Sequence, residues 1–98
     1  MTLRFQRAVQ RDINEVLDYY AERSVTAADR FWEDLHQRFQ EIAENPEQFG
    51  FIHKDRGLRR MRLRKFPYLV LYYQGGGTVK VTCVKHEKRH TLLGLRRR

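Results

Sequence analysis

Residues 58–85, LRRMRLRKFPYLVLYYQGGGTVKVTCVK, decide the fold of this chain. Apolar side chains recur there with a period of two, which is typical of β-strands. The pattern predicts strands over 58–64, 69–73 and 79–85, the middle one almost wholly apolar as a central strand should be. Three glycines at 75–77 supply the backbone freedom of a hairpin turn. This half of the chain therefore predicts an antiparallel meander.

The first half of the chain has a helical period instead. Apolar residues recur every three or four positions over 9–20 and over 28–43, so each segment presents one apolar face. We place the N-cap of the second helix at Thr26, with Asp29 in the position of a capping box. That helix should end at Asn45, because the residue before Pro46 disfavours helical geometry. The aromatic residues expected in the core are Phe31, Trp32 and Phe39.

These elements define an α+β fold. Residues 3–5 alternate as a short first strand does, and residues 46–57 have the composition of a loop. The predicted order is β-α-α-β-β-β, a helical hairpin packed on a mainly antiparallel four-stranded sheet. Ninety-eight residues supply one hydrophobic core and not two, so we expect residues 1–98 to form a single domain.

Basic residues are concentrated in the second half of the chain. Residues 1–50 carry six basic and ten acidic side chains, a net of −4, whereas residues 51–98 carry fourteen basic and two acidic ones, a net of +12. Such an asymmetry favours a polyanionic or acidic partner for the second half. The alternative is a basic, solvated surface with no dedicated ligand.

Other features limit the classes of protein to which this chain can belong. No apolar run approaches the roughly 20 residues of a membrane span, and the N-terminus lacks the apolar block of a signal peptide. The lone cysteine, Cys83, excludes an intramolecular disulfide and alternates with Val79 and Val81 as a buried small hydrophobe would. We therefore expect a cytoplasmic protein with no membrane partner.

The strongest chemical feature is a row of arginines. Arg60, Arg62 and Arg64 share one face of the predicted strand, about 6.5–7 Å apart. That spacing suits phosphates along a nucleic-acid strand, and equally the acidic side chains of a protein partner.

His86, Arg89 and His90 follow the last predicted strand. Histidine can act as a general acid or base, and arginine can stabilise charge on a cleaved phosphate, as RNA cleavage requires. His86 and His90 have no obvious third ligand for a metal, so we predict no metal site. The glycine triplet lacks the lysine of a P-loop and no CxxC pair exists, so no cofactor is predicted.

Motifs along nearly the whole chain resemble the RelE/ParE superfamily of bacterial toxins from type II toxin–antitoxin systems, the plasmid-stabilisation type. The resemblance rests on five motifs. They are Ala8-x-x-x-Asp12-Ile13 with Tyr19-Tyr20, Asn45-Pro46-x-x-Phe49-Gly50, Gly57-Leu58-Arg59-Arg60-x-x-Leu63, Phe66-Pro67-Tyr68-Leu69-Val70-Leu71-Tyr72-Tyr73, and Val84-Lys85-His86-Glu87-Lys88-Arg89.

The resemblance implies a growth-arresting toxin that a cognate antitoxin neutralises. One branch, RelE-like, cleaves mRNA in the ribosomal A site, whereas the ParE-like branch inhibits DNA gyrase and is not a nuclease. The RelE-like branch commonly has arginine after the tyrosine of the central strand and a tyrosine near the C-terminus. This chain has Leu69 in the first place, and Leu92 and Leu93 in the second. Thr91 and Gly94 occupy the stretch where many ParE-like chains carry proline and tryptophan.

We favour ParE-like inhibition of gyrase, with a RelE-like ribonuclease and a non-toxic basic module that only binds an antitoxin-like partner as alternatives. A nuclease would use Arg60, Arg62, Arg64, His86, Arg89 and His90. A gyrase inhibitor would present its C-terminal basic segment, residues 88–98, to the target, and Arg60 and Arg62 to the antitoxin. The expected binding residues for antitoxin or nucleic acid are Arg60, Arg62, Arg64, Lys65, Lys88, Arg89, Arg96, Arg97 and Arg98.

Overall fold

The computed structural model describes residues 1–89 and residue 97. Its helices and strands follow the predicted order with one additional short strand. They are β1 (Thr2–Phe5), α1 (Val9–Ala21), α2 (Val25–Glu44), β2 (Phe51–His53), β3 (Leu58–Arg62), β4 (Tyr68–Gly75) and β5 (Thr78–His86). Single 3₁₀ turns at Pro46–Gln48 and Lys54–Arg56 flank β2. The predicted α+β class is confirmed.

The described strands form one five-stranded sheet in the order β1-β5-β4-β3-β2. β1 is parallel to β5, and the other neighbours are antiparallel. The fifth strand, β2, lies in the segment predicted to be a loop. It is three residues long and pairs irregularly with β3, so it is too short for a period of two to be visible in the sequence.

The two helices pack together on one face of the sheet. The side chains that fill this interface are no more than 7% exposed. They are Val9, Ile13, Val16, Phe31, Leu35, Phe39, Ile42, Met61, Leu63, Val70, Tyr72, Val79, Val81 and Val84. Phe31 and Phe39 lie in the core as predicted, but Trp32 is 44% exposed. Adjacent helical residues point about 100° apart, so Trp32 is turned away from the face that Phe31 buries.

The start of α2 differs from the sequence prediction. Ser24, and not Thr26, is the N-cap: its backbone is extended and its side chain accepts a hydrogen bond from Ala27 N at 3.2 Å. The helix ends at Glu44, before Asn45 and Pro46, as predicted. No helix of the described residues is long and apolar enough to cross a membrane.

A bulge in β5 redirects Cys83. The pairing shifts between Leu71, which faces Cys83, and Tyr72, which faces Val81. Thr82 is therefore an extra residue, and Cys83 points to the opposite face of the sheet from Val81. Cys83 is buried, as predicted, but in a second apolar cluster. That cluster comprises Leu58, Leu69, Leu71 and Cys83.

The β4–β5 hairpin confirms the glycine turn. Gly76 and Gly77 have φ values of 58° and 76°. Positive φ at both central residues defines a type I′ turn, which glycine adopts without steric strain.

Candidate functional site

Arg60 and Arg62 lie on the face of the sheet that the helical hairpin does not cover. Across the β3–β4 pair they face Leu71 and Leu69 of the second apolar cluster. Met61, between them, packs into the main core. The alternation predicted for these two arginines is observed, and both are exposed.

A cleft with a cationic wall lies beside these arginines. Arg62 Nε donates to Glu87 Oε2 at 2.9 Å, and this guanidinium holds the pKa of Glu87 below its usual value. Arg60 forms no salt bridge with the described residues. Together with Lys88 and Leu69 these side chains line an open cleft of about 450 Å³, which we call the β3 cleft. Its walls carry three cationic side chains and one carboxylate, so the cleft favours the binding of anionic groups.

Arg64 does not continue the arginine row. β3 ends at Arg62, and the buried carboxylate of Asp34 in α2 accepts hydrogen bonds from the backbone N–H groups of Arg64, at 3.2 Å, and Lys65, at 2.8 Å. The Arg64 guanidinium then pairs with Glu41 of α2 and lowers the pKa of that carboxyl. The predicted row therefore divides into two arginines on the sheet and one beside the helix.

Sequence reasoning did not single out Asp34, although a signal was present. Asp34 follows Phe31 by three positions and precedes Leu35, so it lies within the apolar stripe of α2. A carboxylate on a buried helix face needs hydrogen-bond donors, because burying an unpaired charge is costly. The backbone of the β3–β4 connection supplies them.

His86 and Arg89 lie on the side of the sheet that faces α1. They line a second cleft of about 250 Å³ with Glu15 of α1 and Tyr68 of β4, here named the α1 cleft. The rings of His86 and Tyr68 are 5.3 Å apart. His86 Nδ1 accepts a hydrogen bond from Lys88 N at 3.2 Å, so a neutral His86 carries its proton on Nε2.

The turn after β5 separates the two clefts. Glu87 and Lys88 line the β3 cleft, whereas His86 and Arg89 line the α1 cleft. Lys85 Nζ stabilises this turn by donating a hydrogen bond to Arg89 O at 2.6 Å. The arginine pair of β3 and the histidine, which a nuclease site would combine, are thus found in different clefts.

Of the C-terminal cations, the structure places Arg97. Its guanidinium forms a salt bridge with Asp12 of α1 and donates to Thr82 O at 3.5 Å. The side chains of Arg97 and Asp12 are 17% and 9% exposed. The predicted site residues that lie outside the described part of the chain are His90, Arg96 and Arg98.

An apolar groove between β1 and the helices was not anticipated. It encloses about 640 Å³, and its walls include Phe5, Ile13, Trp32 and Phe39, with Arg7 at the rim. Phe5 and Trp32 are 48% and 44% exposed. The sequence pattern did not reveal this groove, because Trp32 is next to the apolar stripe of α2 and was expected in the core.

The described residues provide neither a metal-binding group nor a reactive thiol. Residues 1–89 and 97 contain no group of three His, Cys, Asp or Glu side chains able to hold a metal ion. Burial raises the pKa of the Cys83 thiol to about 11, so this cysteine is protonated at neutral pH.

Comparisons with known proteins identify the class. A family model described as "ParE toxin of type II toxin-antitoxin system, parDE" matches residues 3–91. The fold is similar to a solved structure, "Chromosomal ParDE TA system from P. aeruginosa", with a TM-score of 0.77 and 17% identity over 88% of this chain and 95% of that one. A search of curated proteins found no match.

The match and the fold together define a toxin of a type II toxin–antitoxin system. Within that class, the chain belongs to the ParE toxin family. The resemblance to the RelE/ParE superfamily and the preference for its ParE-like branch are confirmed.

Proposed function

We propose that this protein arrests bacterial growth by inhibiting DNA gyrase in the cytoplasm, and that binding of a cognate antitoxin neutralises it. The observation that carries the proposal is membership of the ParE family over residues 3–91. The ParE-like branch of the superfamily is the one associated with inhibition of gyrase.

The geometry of the site supports this activity over RNA cleavage. A nuclease must place a general acid or base and its phosphate-binding groups around one scissile phosphate. His86 lines the α1 cleft, whereas Arg60 and Arg62 line the β3 cleft. Leu69, at the position where the RelE-like branch has arginine, is 6% exposed and part of the second apolar cluster.

The β3 cleft supports a role in antitoxin binding. It combines Arg60, Arg62 and Lys88 with an apolar floor that includes Leu69. Such a surface suits a partner segment that carries carboxylates beside aliphatic side chains. We assign the target, gyrase, to the C-terminal basic segment, residues 88–98.

The test is to induce the chain alone in bacteria and to assay the purified protein on gyrase. We expect growth arrest, loss of supercoiling activity in vitro, and no new RNA 5′ ends. New ends at fixed codon positions would instead establish a ribosome-dependent nuclease. Normal growth at confirmed expression would establish a non-toxic binding module.

A double variant separates antitoxin binding at the β3 cleft from gyrase inhibition. Arg60→Ala with Arg62→Ala should leave gyrase inhibition intact and weaken neutralisation by a co-expressed antitoxin. The matched control is Lys54→Ala with Arg56→Ala, which removes the same charge from exposed residues just before β3. Unchanged neutralisation in the β3 double variant would contradict the assignment of this cleft.

A further inference from the structure

β1 covers only the first half of β5. β5 runs from Thr78 to His86, whereas the β1 pairing ends at Phe5 opposite Val81. The last backbone hydrogen bond across this seam runs from Gln6 N to Val81 O at 2.8 Å. Beyond it, no described strand pairs with this edge of β5. An open edge leaves backbone N–H and C=O groups that need other partners.

Two charged side chains occupy this edge. Asp12 Oδ2, from α1, accepts a hydrogen bond from Val84 N at 3.0 Å. The same oxygen pairs with the guanidinium of Arg97, which also donates to Thr82 O at 3.5 Å. The carboxylate and the guanidinium thus bind backbone groups of β5 that would pair with β1 if that strand were longer. The pair connects α1 to Arg97 at the edge of β5.

Burial distinguishes this ion pair from the others. Arg62 and Arg64 are 50% and 51% exposed in their salt bridges, and Arg38, at 13%, pairs with a Glu41 that is 30% exposed. Arg97 is 17% exposed and Asp12 9%, so among the described residues this is the only salt bridge in which both side chains are less than 20% exposed. Exposed pairs stabilise proteins little, since water screens them. When one partner of a buried pair is removed, the other charge is left without compensation. Separation of Asp12 from Arg97 is therefore costly.

We propose that Asp12 and Arg97 form an anchor that closes the open edge of β5 and holds Arg97 against α1. Arg97 is then a positioning residue that acts through Asp12 and β5 and does not itself contact the target. The functional part of this inference rests on the proposed function, because it assumes that the C-terminal basic segment, residues 88–98, acts on gyrase. The anchor itself can be tested without that assumption.

Alkylation of Cys83 reports directly on the anchor. This thiol is the only one in the chain and lies between Thr82 and Val84, the two residues whose backbone the anchor binds. A buried thiol reacts only when the structure around it opens. Asp12→Asn keeps an oxygen for Val84 N but removes the charge, and Arg97→Gln removes the cation. Burial is the main cause that raises the pKa of the Cys83 thiol, and the Asp12 charge raises it further whereas the Arg97 charge lowers it. The two substitutions therefore change the ionisation of the thiol in opposite directions, and only opening of the structure accelerates the reaction in both. We expect iodoacetamide to react at least about tenfold faster in both variants, since tenfold corresponds to about 1.4 kcal/mol of opening free energy.

Two further variants control this measurement. Arg97→Lys retains a cation and should restore much of the protection. Arg11→Gln removes the exposed arginine beside Asp12 and should leave the rate unchanged. Thermal unfolding of each variant separates local opening from loss of the whole fold. Wild-type rates in both Asp12→Asn and Arg97→Gln would overturn the anchor.

Growth arrest distinguishes positioning from direct contact. If Arg97 acts through the anchor, Asp12→Asn and Arg97→Gln weaken growth arrest to the same extent and Arg97→Lys retains most of it. If Arg97 touches the target, Arg97→Gln loses activity and Asp12→Asn does not, which would overturn the positioning role. If the wild-type chain arrests no growth, the proposed function fails, while the alkylation rates still decide whether the anchor exists.

Discussion

Asp34 is 5% exposed, and both of its carboxylate oxygens accept hydrogen bonds from backbone N–H groups after β3. Asp12, 8% exposed, does the same for Val84 in β5. Both carboxylates come from the helical layer and bind the backbone of the sheet layer. A buried carboxylate needs hydrogen-bond donors, and the end of β3 and the open edge of β5 leave backbone N–H groups that need acceptors, so each aspartate satisfies both requirements at once. In a chain of net charge +8, these two acids join the layers.

The role of Asp34 predicts the effect of its removal. Asp34→Ala leaves the N–H groups of Arg64 and Lys65 without their acceptor, and we expect it to lower the free energy of unfolding by about 2–4 kcal/mol. The control is Glu33→Ala, which removes the same charge from the adjacent exposed position of α2. Urea denaturation monitored by circular dichroism measures both. Equal, small effects would show that the Asp34 hydrogen bonds contribute nothing.

At the scale of elements, the start of α2 shows how local signals compete. Ser24, Thr26 and Asp29 all have side chains that can cap a helix, and the sequence pattern favours Thr26. In the structure, Ser24 caps the helix and Thr26 lies in its first turn. The hairpin geometry decides between them, because α1 ends at Ala21 and Ser24 N donates to Tyr20 O at 2.7 Å. That bond fixes Ser24 at the junction of the helices.

Two matched alanine variants test this boundary. Ser24→Ala removes the cap of Ala27 N and should cost about 1 kcal/mol, which lowers the melting temperature by about 4–8 °C in a domain of this size. Thr26→Ala removes a similar hydroxyl from inside the helix and should change stability little, since alanine has the higher helix propensity. Differential scanning calorimetry gives both values. A larger loss in Thr26→Ala would place the N-cap where the sequence alone had predicted it.

For the whole molecule, the groups with shifted pKa values define the pH range over which the fold is stable. The guanidiniums of Arg64 and Arg62 lower the pKa of Glu41 and Glu87 from 4.5, and burial raises the pKa of Cys83 from 9.0 to about 11. A carboxyl with a lowered pKa stabilises the fold above about pH 4.5, and that contribution is lost as the pH falls. A thiol with a raised pKa affects the stability of the fold at alkaline pH. The unfolded chain loses this proton above about pH 9 and the folded chain does not, so stability falls as the pH rises.

We therefore expect stability to be broadly constant between about pH 5 and pH 9 and to fall on both sides. Glu41→Gln should reduce the loss of stability at acid pH, and Cys83→Ala should reduce the loss of stability between pH 9 and 11. Urea midpoints measured from pH 3 to 11 test this for the wild type and the two variants. Variants whose pH profiles are parallel to that of the wild type would contradict the assignment.

The candidate site was predictable only in part. The alternation of Arg60, Met61 and Arg62 follows from a strand's period of two, which is local. Arg64 departs from that pattern because Asp34 and Glu41 of α2, 30 and 23 positions away, bind its backbone and side chain. The partition between the β3 cleft and the α1 cleft likewise depends on the turn after β5. A strand pattern carries no information on either.

The sequence by itself determined the order of the two helices and of four of the five strands, the core-facing side of each helix and the glycine turn. Each of these is set by residues within a few positions of one another. The tertiary structure alone decided the parallel pairing of β1 with β5, the fifth strand, the face that Cys83 occupies and the partners of Asp12. Those partners lie 72 and 85 positions away, and pairing over such distances depends on how the layers pack and not on local propensity.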